Sequence, residues 1–295
     1  MDYFLQLTAS GIMSGSIYAL IALGIVLIYK TSGVFNLAVG PIVALGTFLS
    51  WWLIAEIGLP WPLSFICLIG VAAVLGILIE RYTMRPMIGQ PMLSAVMITI
   101  AISVVIAGVI TITWPGLIRK YPEIIPSGTA AIGSIVLSQE SLIGLFIGAV
   151  VFIAFLLFFN KTMLGLAMRG TAEDQQLAQS GGIRVTSIIA IAWGVAIATA
   201  FISGILLGNM HGVNQGAISS LGYKAFPAVI VGGLESITGA IIGGLLIGVL
   251  ESLGAGYLDK YVAGGVAEVM PFIVLMIILM IKPYGLFGYT RIERV

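Results

Sequence analysis

The chain has 295 residues, 60% of them hydrophobic and only 8% charged, with a mean hydropathy of +1.16. That is more apolar surface than a water-soluble globule can hide, so the chain belongs in a bilayer. Thirteen basic residues scattered among twelve acidic ones, net +1, give no concentrated positive field for nucleic acid, and the single Cys67 and single His211 leave no disulfide framework or metal centre to assemble.

A helix crosses a hydrocarbon core roughly 30 Å thick with about 20 apolar residues, so a chain of this length holds at most about ten crossings. Apolar windows fall at residues 8–29, 37–55, 61–79, 92–113, 142–159, 188–208, 237–250 and 266–281, with a weaker stretch interrupted by Gly and Ser at 213–234. The pattern predicts an all-α polytopic membrane protein of about eight or nine transmembrane helices, one or two of them broken at Gly-rich segments, in a single transmembrane domain over 1–295. The first window follows no basic residue and is too long for a cleaved signal core, so it reads as a retained span.

Two Gly-rich segments lie at membrane depth. Asn36-Leu37-Ala38-Val39-Gly40-Pro41 combines a helix-weakening glycine with a proline that lacks a backbone donor, and an amide, Asn36, that needs a partner in lipid. The second runs from Gly232-Gly233 through Ser236 to Gly243-Gly244. Broken helices of this kind line polar passages in transporters, which makes Asn36, Gly40, Pro41, Gly232, Gly233 and Ser236 the candidate walls of a translocation path; small-residue helix packing uses glycine in the same way.

Residues 114–140 carry Pro115, Pro122 and Pro126 with Gly116, Gly128 and Gly133, a mixture suited to turns and short strands. Residues 161–187 form a polar island. Within it, Ala172 to Ser180 reads as a short helix, with Thr171 as its cap, Glu173 and Asp174 at its positive end, and Gly181-Gly182 as its stop. Its exposed, mixed surface suits docking into a groove on a partner. His211, the sole histidine, lies in the polar run 209–215 and reads as a structural group at an interface. Glu235 and Glu251, sixteen residues apart, would be separated by about 24 Å in a helix and read as markers of opposite interfaces.

Placing Lys30, Arg81, Arg85, Lys161, Arg169, Arg184, Lys282, Arg291 and Arg294 on one side gathers nine of the thirteen basic residues and assigns that side to the cytoplasm. Arg119, Lys120, Lys224 and Lys260 then lie outside or near the outer interface. The two Lys-Thr pairs follow Tyr29 and Asn160 instead of glycine, so neither is a P-loop, and any ATP must be bound by another chain.

Four blocks, in this order and at these separations, resemble the permease subunits of bacterial ABC importers of the branched-chain amino acid type, particularly the smaller permease of the pair. They are Phe35-Asn36-Leu37-Ala38 with Gly40; Glu80-Arg81, Arg85-Pro86, Pro91, Leu93 and Ile98-Thr99-Ile100 with Ser103; Met168-Arg169, Ala172, Asp174, Ala178 and Gly182-Ile183; and Gly232 to Gly244 followed by Pro283-Tyr284-Gly285-Leu286-Phe287-Gly288. The resemblance implies a multi-pass subunit of the bacterial cytoplasmic membrane that does no covalent chemistry and needs no cofactor. Its implied partners are a second permease, two cytoplasmic ATP-binding subunits and a periplasmic solute-binding protein. It makes the island a coupling loop, with Arg169, Thr171, Ala172, Glu173, Asp174, Gln175, Ala178 and Gly182 at or near the ATPase groove.

The chain departs from the usual pattern at Pro41, Ile88, Gly170 and Gln179. Pro41 leaves the small-molecule substrate open between branched-chain or related hydrophobic amino acids and urea or short amides. An ion-coupled carrier is the alternative of a different class; it would need Asp259 or Glu268 buried and titratable.

Overall fold

A computed structural model describes residues 2–87, 90–116, 118–122, 128–132, 135–262 and 264–288. The element order is α1 (Asp2–Ser32), α2 (Val39–Trp51), α3 (Trp61–Ile79), α4 (Met92–Thr113), β1 (Thr129–Ile132), β2 (Ile135–Ser138), α5 (Gln139–Lys161), α6 (Met163–Glu173), α7 (Gln175–Ser180), α8 (Val185–His211), α9 (Gln215–Tyr223), α10 (Ala225–Gly232), α11 (Ile237–Val262) and α12 (Val266–Ile281). Wide π turns extend α2 over Trp52–Glu56 and α3 over Glu80–Met84. Among the described residues seven helices are long and apolar enough to cross a membrane, and α12 is a shorter apolar one. Each expected window therefore has its helix, and the weak stretch at 213–234 is the broken pair α9 and α10, separated at Lys224. The only sheet among the described residues is the antiparallel hairpin β1–β2, inside the connector whose composition predicted short strands. Arg291, Arg294 and Ile88 lie outside the described residues.

Helices dominate because a lipid core offers no hydrogen bonds to a bare backbone. The chain forms two compact units. One contains residues 27–124 and 149–223; the other contains residues 1–26, 125–148 and 224–295.

In the first unit, α2 packs against α3, α4, α8 and α9, and α3 packs along α8. Glycines set these distances. A Cβ on Gly76 would overlap the backbone of Gly194, and one on Gly46 would strike Phe201 at 2.6 Å. Three of the helices keep most of their surface unburied: only 22% of the apolar window of α3, of α4 and of α5 is covered, as expected for lipid-facing spans.

In the second unit, α10, α11 and α12 pack together, and the backbone of α1 meets that of α11 where Gly11 and Gly15 face Gly244, Gly248 and Val249. Spacings of four residues between small side chains let two helices approach this closely.

This unit also buries a charge. Lys224, which caps α10, places Nζ 2.6 Å from Oε1 of Glu251 in α11, with side chains 8% and 12% exposed. Tyr18 of α1 donates its hydroxyl to the same carboxylate oxygen at 3.3 Å, and Lys224 also donates to the carbonyl of Ala267 at 3.3 Å. That carbonyl is available for a physical reason. Pro271 stands four residues further along α12 and has no N–H to give it. Glu251 thus sits inside the 26-residue α11, and Lys224 turns its side chain into the unit rather than to its surface. From sequence Glu251 reads as an interface marker, because an unpaired mid-membrane carboxylate is costly, and Lys224 reads as outside or near the outer interface from the distribution of basic residues; here the two are paired.

Two stability predictions follow from this packing. Gly76→Ala should lower the melting temperature in detergent through a clash of about 1–3 kcal/mol, whereas Gly70→Ala, on the same helix with nothing within 4 Å of its Cβ, should leave it unchanged or raise it by up to about 1 kcal/mol in helix propensity. Lys224→Met should cost about 3–5 kcal/mol by stranding Glu251, and the double change Lys224→Met with Glu251→Leu should recover most of it in the same melts; equal loss in both would refute the pairing.

Candidate functional site

The polar island folds as two short helices. Thr162 caps α6 by accepting the N–H of Gly165 at 3.0 Å, and Gly165, Met168 and Thr171 form its buried stripe. The helix ends at Asp174, which is extended and caps α7 by accepting the N–H groups of Gln176 (2.7 Å) and Leu177 (3.0 Å). The cap is therefore Asp174 and not Thr171. Thr171 is 2% exposed and donates to the Ala167 carbonyl inside α6, because its place on the buried stripe keeps the helix running past it. The stop is as expected: Gly182 takes a positive φ of 85°, its N–H donates to Gln179, and that of Ile183 donates to Ala178. These two bonds make a Schellman ending.

The hairpin is tied to its own unit by two side chains. Arg169 donates Nη1 to the carbonyl of Phe159 and lies over that ring, 5.6 Å from its centroid. Gln175 donates Nε2 to the carbonyl of Thr31 at 3.1 Å, at the end of α1. Ala178 is buried and Ala172 half-buried, while Glu173 and Asp174 are exposed. Sequence reasoning overlooked the apolar part of the exposed surface: Leu177 is 69% exposed, and Met163, Leu164 and Leu166 also face outward. Their signal was leucine and methionine in a segment otherwise rich in Gln, Gly and Ser.

The chain reverses from α1 to α2 through residues 33–38. Gly33 has φ 70°, and buried Asn36 accepts the N–H of Ala38 at 3.0 Å, which gives its amide oxygen a partner that lipid could not. Thr99 of α4 accepts the N–H of Leu37 at 3.2 Å, so two blocks far apart in the sequence meet here. Gly40 and Pro41 are buried in the first turn of α2; a Cβ on Gly40 would strike the Ser219 carbonyl and the Tyr223 ring of α9.

In the second unit, the break between α10 and α11 has Gly233 at φ 102° and Ser236 capping α11 by accepting the N–H of Gly239 at 2.9 Å. A Cβ on Gly232 would overlap the Gly239 carbonyl. Orphan carbonyls at the end of α10 are filled by the far end of the chain: the N–H groups of Leu286 and Phe287 donate to Val231 (2.8 Å) and Gly232 (3.1 Å). The terminal Pro-Tyr-Gly-Leu-Phe-Gly run is thus the partner of the Gly-rich break.

The connector after α4 is pinned to α2. Arg119 pairs with Glu56 at 3.2 Å, its guanidinium lies 4.4 Å from the Trp51 ring centre, and Trp51 donates to the Lys120 carbonyl at 3.1 Å. Tyr121 and Ser50 share a hydrogen bond of 2.7 Å. Burial pushes the Tyr121 phenol up to about 12 while the Ser50 bond pulls it the other way, so the anchor is neutral at ordinary pH. His211 ends α8 and is exposed. Asp259 is half-buried and accepts the N–H of Val266 at 2.9 Å, and Glu268 is exposed, so neither is the buried carboxylate an ion-coupled carrier would require.

A family model described as the permease component of branched-chain amino acid transport systems matches residues 7–280. The chain is 33% identical to the high-affinity branched-chain amino acid transport system permease protein LivH of Salmonella typhimurium and 31% identical to the corresponding protein BraD of Pseudomonas aeruginosa, in each case over 99% of this chain and 98% of the relative. It is 32% identical to a probable branched-chain amino acid transport permease protein LivH of Methanocaldococcus jannaschii, over 94% of this chain and 90% of that one. Among solved structures, PsaBC from Streptococcus pneumoniae in complex with Fab aligns with a TM-score of 0.51 over 96% of this chain and 94% of that one, at 15% identity, a likeness of fold alone. With its apolar helices, its broken segments and this match over nearly its whole length, the chain belongs to the family of permease components of branched-chain amino acid transport systems.

Proposed function

We propose that this permease moves branched-chain amino acids inward across the cytoplasmic membrane as half of a passage, driven by ATP hydrolysed on separate subunits. The observation that carries the reading is the full-length identity to permeases named for that cargo. A second permease completes the passage, two ATP-binding subunits grip the α6–α7 hairpins, and a soluble receptor delivers the solute. The chain itself contributes binding and movement and no covalent step.

The hairpin is built for this role. Glu173, Gln176 and Leu177 are exposed and committed to no described bond through their side chains, whereas Asp174 is spent on the cap. The docking contact therefore rests on the apolar anchor Leu177 flanked by Glu173 and Gln176. Arg169 and Gln175 face inward and carry displacement to the ends of α5 and α1. From Thr31 the next residues are the Gly33–Asn36 reversal and then α2, whose Asn36, Gly40 and Pro41 we assign to the path. Gly232, Gly233 and Ser236 form the corresponding break in the other unit.

The assembled transporter in proteoliposomes should take up labelled leucine in a receptor- and ATP-dependent way, with excess valine competing and urea not; uptake of urea in place of leucine would overturn the cargo. In the same assay Leu177→Asp should lower uptake about tenfold or more while the α-helical circular dichroism is unchanged. Full uptake by that variant would remove α7 from the docking surface.

A further inference from the structure

Within the first unit, α3, α4, α7 and α8 enclose a cavity of about 220 Å³ beside the Gly33 reversal. Its size suits one small metabolite, since pockets for drug-sized ligands begin at about 300 Å³. Glu80 lines it from the π turn that ends α3, is 5% exposed, and its Oε1 is buried without a hydrogen-bond partner. A buried acceptor of this kind calls for a donor, and a cationic donor satisfies a carboxylate best. Arg85, exposed and also on the lining, supplies the opposite charge and acts on Glu80 across space without a described hydrogen bond to it. The rest of the lining mixes apolar Met84, Ala95 and Ile189 with polar Ser32, Gln90 and Gln175.

One buried anion, one rim cation and an aliphatic wall describe the three parts of an aliphatic α-amino acid: ammonium, carboxylate and side chain. We infer that this cavity is a binding site for the zwitterionic cargo on the side of the protein rich in Lys and Arg. The ammonium meets Glu80, the carboxylate meets Arg85, and the side chain lies on Met84, Ala95 and Ile189. Gln175, the residue that ties α7 to Thr31, also lines the cavity, so the bound solute touches the coupling hairpin directly. The site rests on the cargo reading proposed above but is distinct from the passage residues already assigned.

The test is equilibrium binding of labelled leucine to the assembled transporter in nanodiscs without the soluble receptor. Binding should be saturable; 4-methylpentanoate, which lacks the ammonium, and isopentylamine, which lacks the carboxylate, should each compete about tenfold or more weakly than leucine. Glu80→Gln, and Ala95→Phe, which fills the cavity, should each weaken leucine by about tenfold or more. Competition by either analogue as strong as that of leucine itself on the unaltered protein overturns the site whether or not either variant folds, as does undiminished binding in both variants. Receptor-driven leucine uptake by the same purified transporter reconstituted in proteoliposomes separates the two readings. Uptake without saturable binding removes this site alone; binding without uptake leaves the site and removes the cargo assignment; loss of both removes both.

Discussion

At the reversal after α1, the break after α10 and Pro271 in α12, another group takes over a hydrogen bond that the helix has lost, and the fold depends on that matching. In lipid an unfilled N–H or C=O costs several kcal/mol, roughly the order of a domain's whole stability. Asn36 and Thr99 fill the donors of the first reversal, and Ser236 fills one at the start of α11. Residues 286 and 287 fill the carbonyls ending α10. The most economical instance joins a charge to a proline: Pro271 frees the Ala267 carbonyl, and Lys224, already held by Glu251, occupies it. A passage needs irregular backbone and exposed dipoles, and these side chains are what make irregular backbone tolerable.

Glycine has the complementary task. At Gly15, Gly76, Gly232 and Gly248 it allows backbones to touch, and at Gly33, Gly182 and Gly233 it supplies a positive φ that other residues adopt at a cost. Gly40 belongs to the first group, packed on Ser219 and Tyr223. A glycine chosen from sequence as a path wall can therefore be a packing residue at the same time.

The sequence made the spans legible because a bilayer imposes one length and one polarity on each, and even the broken ninth stretch was readable from its glycines and serines. It also revealed the stop of the hairpin at Gly182. It misassigned the cap, since Thr171 and Asp174 are both good capping types and only the buried stripe of α6 decides between them. Lys224 and Glu251 were invisible as a pair because they are far apart in sequence and a lone charge reads as a boundary. Glu80 and Arg85 belong to a block that carries the family resemblance, yet their local spacing gives no hint of a cavity that also needs Ala95, Gln175 and Ile189. Local pattern carried the elements; the sites arise from long-range juxtaposition.

The tether between Gln175 and Thr31 has a consequence for timing. It is one hydrogen bond between an uncharged amide and a backbone carbonyl, 3.1 Å long, and bonds of that kind hold about 0.5–1.5 kcal/mol net. That is only about one to three times the thermal energy at ambient temperature, so the tether behaves as a catch that opens and recloses spontaneously. Because neither group is ionised, its grip should be insensitive to ionic strength, unlike an exposed ion pair at the same place.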